Sequence, residues 1–71
     1  MLRESVRSSN LRSVGYDADS ATLEVEFSDR SVWQYKPVPA SVYSGLMAAG
    51  SKGSFFHRTI RGRYAAHPAR H

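Results

Sequence analysis

A chain of 71 residues with a net charge of +4 and no cysteine is long enough for one domain and excludes disulfides and thiolate metal sites. A core of this size removes little apolar area from water, so marginal stability is expected unless a partner subunit adds to it. No apolar stretch approaches the about 20 residues that cross a bilayer, and Met1-Leu2-Arg3-Glu4-Ser5-Val6 has no apolar run behind its basic residue. The expectation is a soluble, cytoplasmic protein without a signal peptide or a membrane partner.

In chain order, Asn10 to Tyr16 reads as a first strand and Asp17-Ala18-Asp19-Ser20 as a turn, because short polar side chains bond to nearby backbone. Ala21 to Phe27 is the clearest strand: Leu23, Val25 and Phe27 alternate with Thr22, Glu24, Glu26 and Ser28, the period of a sheet with one dry and one wet face. Ser28-Asp29-Arg30 makes a tight hairpin into a third strand, Ser31 to Lys36, which Pro37 ends.

Pro39 suits the start of a helix over about Ala40 to Ala49, whose Val42, Tyr43, Leu46, Met47 and Ala49 form an apolar stripe. Gly50 reads as a left-handed stop and Ser51 as the cap of a second helix, Lys52 to Ile60, that buries Phe55, Phe56 and Ile60 and ends at Gly62. The segment from Arg63 onward has no strong period, and 65–71 is expected to be flexible. The predicted fold is α+β: a three-stranded antiparallel meander followed by two helices packed on its dry face, with an ordered core over about 8–64.

Read together, these segments resemble the KTSC family, a short domain found alone in bacteria and at the C-terminus of some lysyl-tRNA synthetases. The matching stretches are Ser8 through Asp17, Leu23 through Phe27, the aromatic-x-aromatic Trp33-Gln34-Tyr35, Val38-Pro39 with Tyr43, Ser51 through Phe56, and Ile60-Arg61. The chain departs from the family pattern at Trp33, where Tyr is usual, and at Arg30, where Gly is usual. The resemblance implies no established activity; RNA binding is what has been proposed for such domains.

Every acidic residue lies within the first 29 positions, while the remainder carries Arg30, Lys36, Lys52, Arg58, Arg61, Arg63 and Arg70 with His57, His67 and His71. That asymmetry points to a polyanion such as nucleic acid, set against a solvated face that only aids solubility. His57, Arg58 and Arg61 share a side of the second helix, with Arg63 and Tyr64 beyond it; cations beside an aromatic suit single-stranded nucleic acid. Gly50-Ser51-Lys52-Gly53 matches the GXXG loop with which KH domains clamp a nucleic-acid backbone, and equally describes a helix stop, a cap and a corner.

Trp33 and Tyr35 share one sheet face, and the hairpin decides which. A three-residue loop sets Trp33 opposite Val25 and puts both aromatics in the core. A two-residue loop puts them beside Glu24 and Glu26, as a base-stacking platform with acidic neighbours. His67 and His71 have helical metal-ligand spacing, but Pro68 lies between them, and an unstructured tail is the preferred reading. No nucleophile elbow, paired carboxylates or phosphate loop stands out, so no catalysis, cofactor or metal is expected. The leading expectation is a non-catalytic module binding RNA or other single-stranded nucleic acid. The alternative is a protein-interaction module that docks on an acidic partner or forms a weak homodimer through an exposed sheet edge.

Overall fold

The computed structural model describes residues 1–70, with Arg70 described in its backbone only. His71, and with it the His67/His71 pair, lies outside the described residues. Five strands occur: β1 (Glu4–Ser5), β2 (Leu11–Asp17), β3 (Thr22–Phe27), β4 (Val32–Lys36) and β5 (Ala65–Arg70). They form one antiparallel sheet in the order β1-β2-β3-β4-β5. Between β4 and β5 come α1 (Ala40–Ala48), a short α2 (Lys52–Phe55) and a π-helical turn (Phe56–Ile60) that continues α2.

The three expected strands are present, and two more flank them. Residues 65–70, expected to be flexible, pair along β4, with Tyr35 opposite Ala66 and Trp33 opposite Pro68. Main-chain pairing holds β5 in place, since Ala65 to Ala69 are all exposed; a strand held in this way leaves no apolar alternation to read. β1 is two residues long and pairs Glu4 with Val14 and Ser5 with Ser13.

A bulge at Arg12 sets the faces of β2. Leu11 pairs with Phe27 and Ser13 with Glu26, so two steps on β2 match one on β3. The extra residue lets Leu11 share the inner face with Val14 and Tyr16 while Ser13 points outward. Leu11, Val14, Leu23, Val25 and Tyr35 then meet Leu46, Phe56 and Ile60 in a single core. Fully burying a side chain of this kind stabilises by about 1.5–3 kcal/mol.

One ring stack and one hydrogen bond, both from Tyr16, seat α1. Tyr16 and Tyr43 stack with ring centroids 4.9 Å apart and planes 9° from parallel. The Tyr16 hydroxyl donates to the Val38 carbonyl at 2.5 Å, fixing the chain that enters the helix. Pro39 is the N-cap residue of α1 rather than its first helical residue.

On the outer face, Arg3 reaches from the chain start across the sheet. Its guanidinium pairs with the Glu24 carboxylate and donates to Ser13 Oγ at 2.9 Å. Gln34 Nε2 donates to the other Glu24 oxygen at 2.8 Å, and Ser13 Oγ donates to Glu26 at 2.9 Å. Glu24 is therefore buried on the face that its alternation marks as wet. Burial raises its pKa, but hydrogen bonds from Gln34 and Arg3, with the Arg3 charge, outweigh that and hold the carboxyl below its ordinary value.

Candidate nucleic-acid interface

The β3–β4 hairpin shapes one wall of the candidate site. Arg30 N–H donates to Phe27 O, and Phe27 N–H to Ser31 O, each at 2.9 Å, which closes a three-residue loop. Val25 then lies opposite Trp33 and Leu23 opposite Tyr35. This register decides between the two sequence readings. Tyr35 is 6% exposed in the core, and Trp33 is half-buried against it. The platform beside Glu24 and Glu26 is not formed. The loop needs a left-handed third residue, and Arg30 supplies it with φ 75°.

Asp29 is fixed at the hairpin tip. Ser31 N–H and Ser31 Oγ both donate to Asp29 Oδ1, at 2.9 and 2.6 Å. Those hydrogen bonds stabilise the carboxylate and hold its pKa below the ordinary value.

The π-helical turn forms the opposite wall. Arg61 N–H donates to Phe56 O five residues back, at 2.9 Å, which widens the turn. Phe56 and Ile60 stay buried beneath it, while His57, Arg58 and Arg61 are exposed. Gly62 ends the turn with φ +79°, as its position in the sequence implies.

Between these walls lies an open groove with two lobes. The larger, of about 590 Å³, holds His57, Arg58, Arg61 and Gly53 on the helical side and Asn10, Ser28 and Asp29 opposite. The smaller, of about 400 Å³, is floored by Trp33, Tyr35, Phe27 and Phe56, and Gly62 and Ala66 leave it open. Phe27, Phe56, Asp29 and Arg61 line both lobes. Phe56 meets the edges of Phe27 and Tyr35 at centroid distances of 5.4 and 5.3 Å, so the floor is rigidly packed. Burial pushes the Tyr35 phenol up, partly opposed by the nearby Arg61 charge.

Three of the expected cations thus converge, and the other expected residues have different work. Lys52 Nζ donates to Ala49 O at 3.0 Å, closing the end of α1. A Cβ on Gly53 would stand 3.1 Å from Asn10 Nδ2, so Gly53 lets α2 approach the Ser8–Asn10 turn. Gly50 is not left-handed: α1 ends in extended Ala49 at ψ 140°. Ser51 does cap α2, accepting from Ser54 N–H at 3.3 Å. Arg63 Nε donates to Arg58 O at 3.3 Å, and Tyr64 packs on the core. The GXXG segment is therefore a corner whose second glycine faces protein.

Asp29, Asn10 and Ser28 were not expected at the site. For Ser28 and Asp29 the signal is the hairpin length, which brings the β3–β4 tip level with the helical turn; Asn10 enters from the turn before β2, where its carbonyl accepts from Ser28 N–H at 2.9 Å. Charge partition is equally telling. Among the described residues, ion pairs within 4.0 Å join Arg3 and Arg12 to Glu24 and Glu26, and none involves His57, Arg58, Arg61 or Arg63. Glu24 and Glu26 are neutralised by Arg3 and Arg12 on the outer face, and Arg58 and Arg61 keep their charge in the groove.

Fold and groove together define a small α+β domain whose sheet carries its helical connection on one face and a basic, aromatic-floored groove at one end. The family model for the KTSC domain matches residues 7–64, and the chain belongs to that family. A KTSC domain protein of Yersinia pestis has a crystal structure that superimposes with a TM-score of 0.92, at 37% identity over 94% of each chain. An uncharacterized protein of Stutzerimonas stutzeri is 41% identical over 61 residues, 86% of each chain. A lysine–tRNA ligase of Trichormus variabilis is 41% identical over 49 residues; these are 69% of this chain and only 9% of the ligase.

Proposed function

We propose that the protein is a non-catalytic module that binds single-stranded RNA in the groove between the β3–β4 hairpin and the π-helical turn. The observation that carries this reading is the gathering of His57, Arg58 and Arg61, none ion-paired among the described residues, along one open lobe beside an aromatic floor. Arginines bind phosphate through several donors at once, and exposed arginine pairs cost little to desolvate. The ligase relatives act on a tRNA by name, and a domain of this kind in such an enzyme is consistent with an RNA-facing role.

Little supports the rival reading of dimerisation through a sheet edge. Of the two edge strands, β1 is only two residues long, and β5 carries Pro68, which has no N–H to offer a partner strand.

The test is binding of a fluorescently labelled single-stranded RNA to the intact chain and to the Arg58→Glu/Arg61→Glu variant. Both arginines are exposed, so the variant folds normally. The wild type binds with an affinity that falls as salt rises, with a log–log slope of about −1.4 for phosphates neutralised by the two arginines, and the variant binds at least tenfold more weakly. Equal binding by the two proteins contradicts the assignment of the site.

A further inference from the structure

We propose that the smaller lobe of the groove reads a guanine base, with Asp29 accepting from its Watson–Crick edge while Arg58 and Arg61 hold the adjoining phosphate. This inference deepens the RNA-binding reading and rests on it. The argument begins with a mismatch of charge. A surface built only to hold phosphate has no use for a carboxylate, yet Asp29 lines both lobes beside Arg61 and forms no ion pair among the described residues. Ser31 anchors it through two hydrogen bonds, both onto Oδ1, which leaves Oδ2 as the oxygen available to a ligand.

An ionised carboxylate is an acceptor only. It repels phosphate and attracts a group that presents N–H donors. Among the four RNA bases, guanine alone places two adjacent donors, N1–H and N2–H, on its Watson–Crick edge. Adenine and cytosine each set one amino donor beside a ring acceptor, which would face the carboxylate. Uracil sets its single N–H between two carbonyls.

The lobe suits a planar ring. Its floor is aromatic, with Trp33 and Tyr35 two residues apart on β4, opposite Val25 and Leu23, and Phe27 at the hairpin end of β3 where it bonds to Ser31. The open side exists because Gly62 has no side chain and Ala66 on β5 has only a methyl group. A volume of about 400 Å³ falls within the range of about 300–1,000 Å³ for small-molecule pockets. Arg61 stands between the lobes and contributes to both, where the sugar-phosphate would leave the base. Stacking on the floor tolerates any base, so discrimination falls to Asp29.

The experiment uses nine-nucleotide oligouridines carrying one central guanine, inosine, adenine or cytosine. Binding is followed at low salt by the fluorescence of Trp33, the one tryptophan in the chain. The guanine oligomer is expected to bind about tenfold more tightly than the adenine one, with inosine, which lacks the 2-amino group, in between. Asp29→Asn, which keeps an oxygen for Ser31, is expected to abolish that preference while retaining binding. Ala66→Leu, a change on an exposed strand that fills the lobe, is expected to weaken the guanine oligomer towards the level of the others. Equal affinity for all four oligomers, or a guanine preference that survives in Asp29→Asn, overturns the base assignment and leaves the phosphate site standing. Binding of none of them overturns the RNA reading itself, and this inference with it.

Discussion

Asp29 and Arg61 face a common groove from opposite walls, the first on the β3–β4 hairpin and the second at the end of the π-helical turn, and they are not ion-paired. Opposite charges left apart at a site are available to a ligand that carries both an anion and hydrogen-bond donors. A nucleotide is such a ligand. Arg3 and Arg12 pair with Glu24 and Glu26 on the outer face, so the two faces can be perturbed separately.

The outer face should control acid stability. The Glu24 carboxyl titrates below its ordinary value of 4.5 in the folded protein. A lowered folded pKa contributes stability above the unfolded value and loses it as pH falls through the folded one. Arg3→Ala removes the partner of a buried carboxylate and should cost about 1–3 kcal/mol at neutral pH, with a shallower loss as pH falls below the ordinary carboxyl value. Urea melts of the two proteins from neutral pH down through that value check both statements, and RNA binding at neutral pH should be unchanged.

Arg30 occupies a left-handed position that costs a non-glycine residue about 1 kcal/mol. Arg30→Gly should therefore raise stability by up to about 1 kcal/mol, reduced by the extra freedom of glycine in the unfolded chain. A higher denaturation midpoint with an unchanged slope is the expected result.

Gly15 faces the chain start closely. A Cβ there would clash with the Leu2 carbonyl oxygen, a backbone atom that can make room only if the segment carrying it shifts. Gly15→Ala should displace the N-terminal segment and cost about 1–3 kcal/mol. Amide exchange should become faster at Glu4 and Ser5 while the groove residues keep their protection.

How much of this was legible depends on what holds each segment. The alternation of Leu23, Val25 and Phe27, the Ser51 cap and the Gly62 stop are local signals, and each appears in the structure where the sequence puts it. β5 is held by main-chain bonds to β4 and not by burial, so its composition resembles a tail. The π-helical turn hides for another reason: Phe56 and Ile60 are four apart, a spacing that fits an α-helix equally well. Of the candidate site, the cations His57, Arg58 and Arg61 were legible as a cluster. Asp29 was not, because its place across the groove depends on hairpin length and packing rather than on neighbours in the chain. Lys52 and Gly53 carry local contacts that the sequence does not show, with Ala49 and Asn10, and Gly53 also lines the larger lobe.

The central claim is that the groove binds single-stranded RNA, and an amide NMR titration tests it most directly. A short guanine-containing RNA is added to the intact protein at low and then moderate salt. The account predicts shifts confined to the groove, at Asn10, Phe27–Asp29, Ser31, Trp33, Tyr35, residues 53–62 and Ala66, fading as salt rises. No shifts at low salt, or shifts centred on Arg3, Ser13 and Gln34 of the outer face, would contradict it.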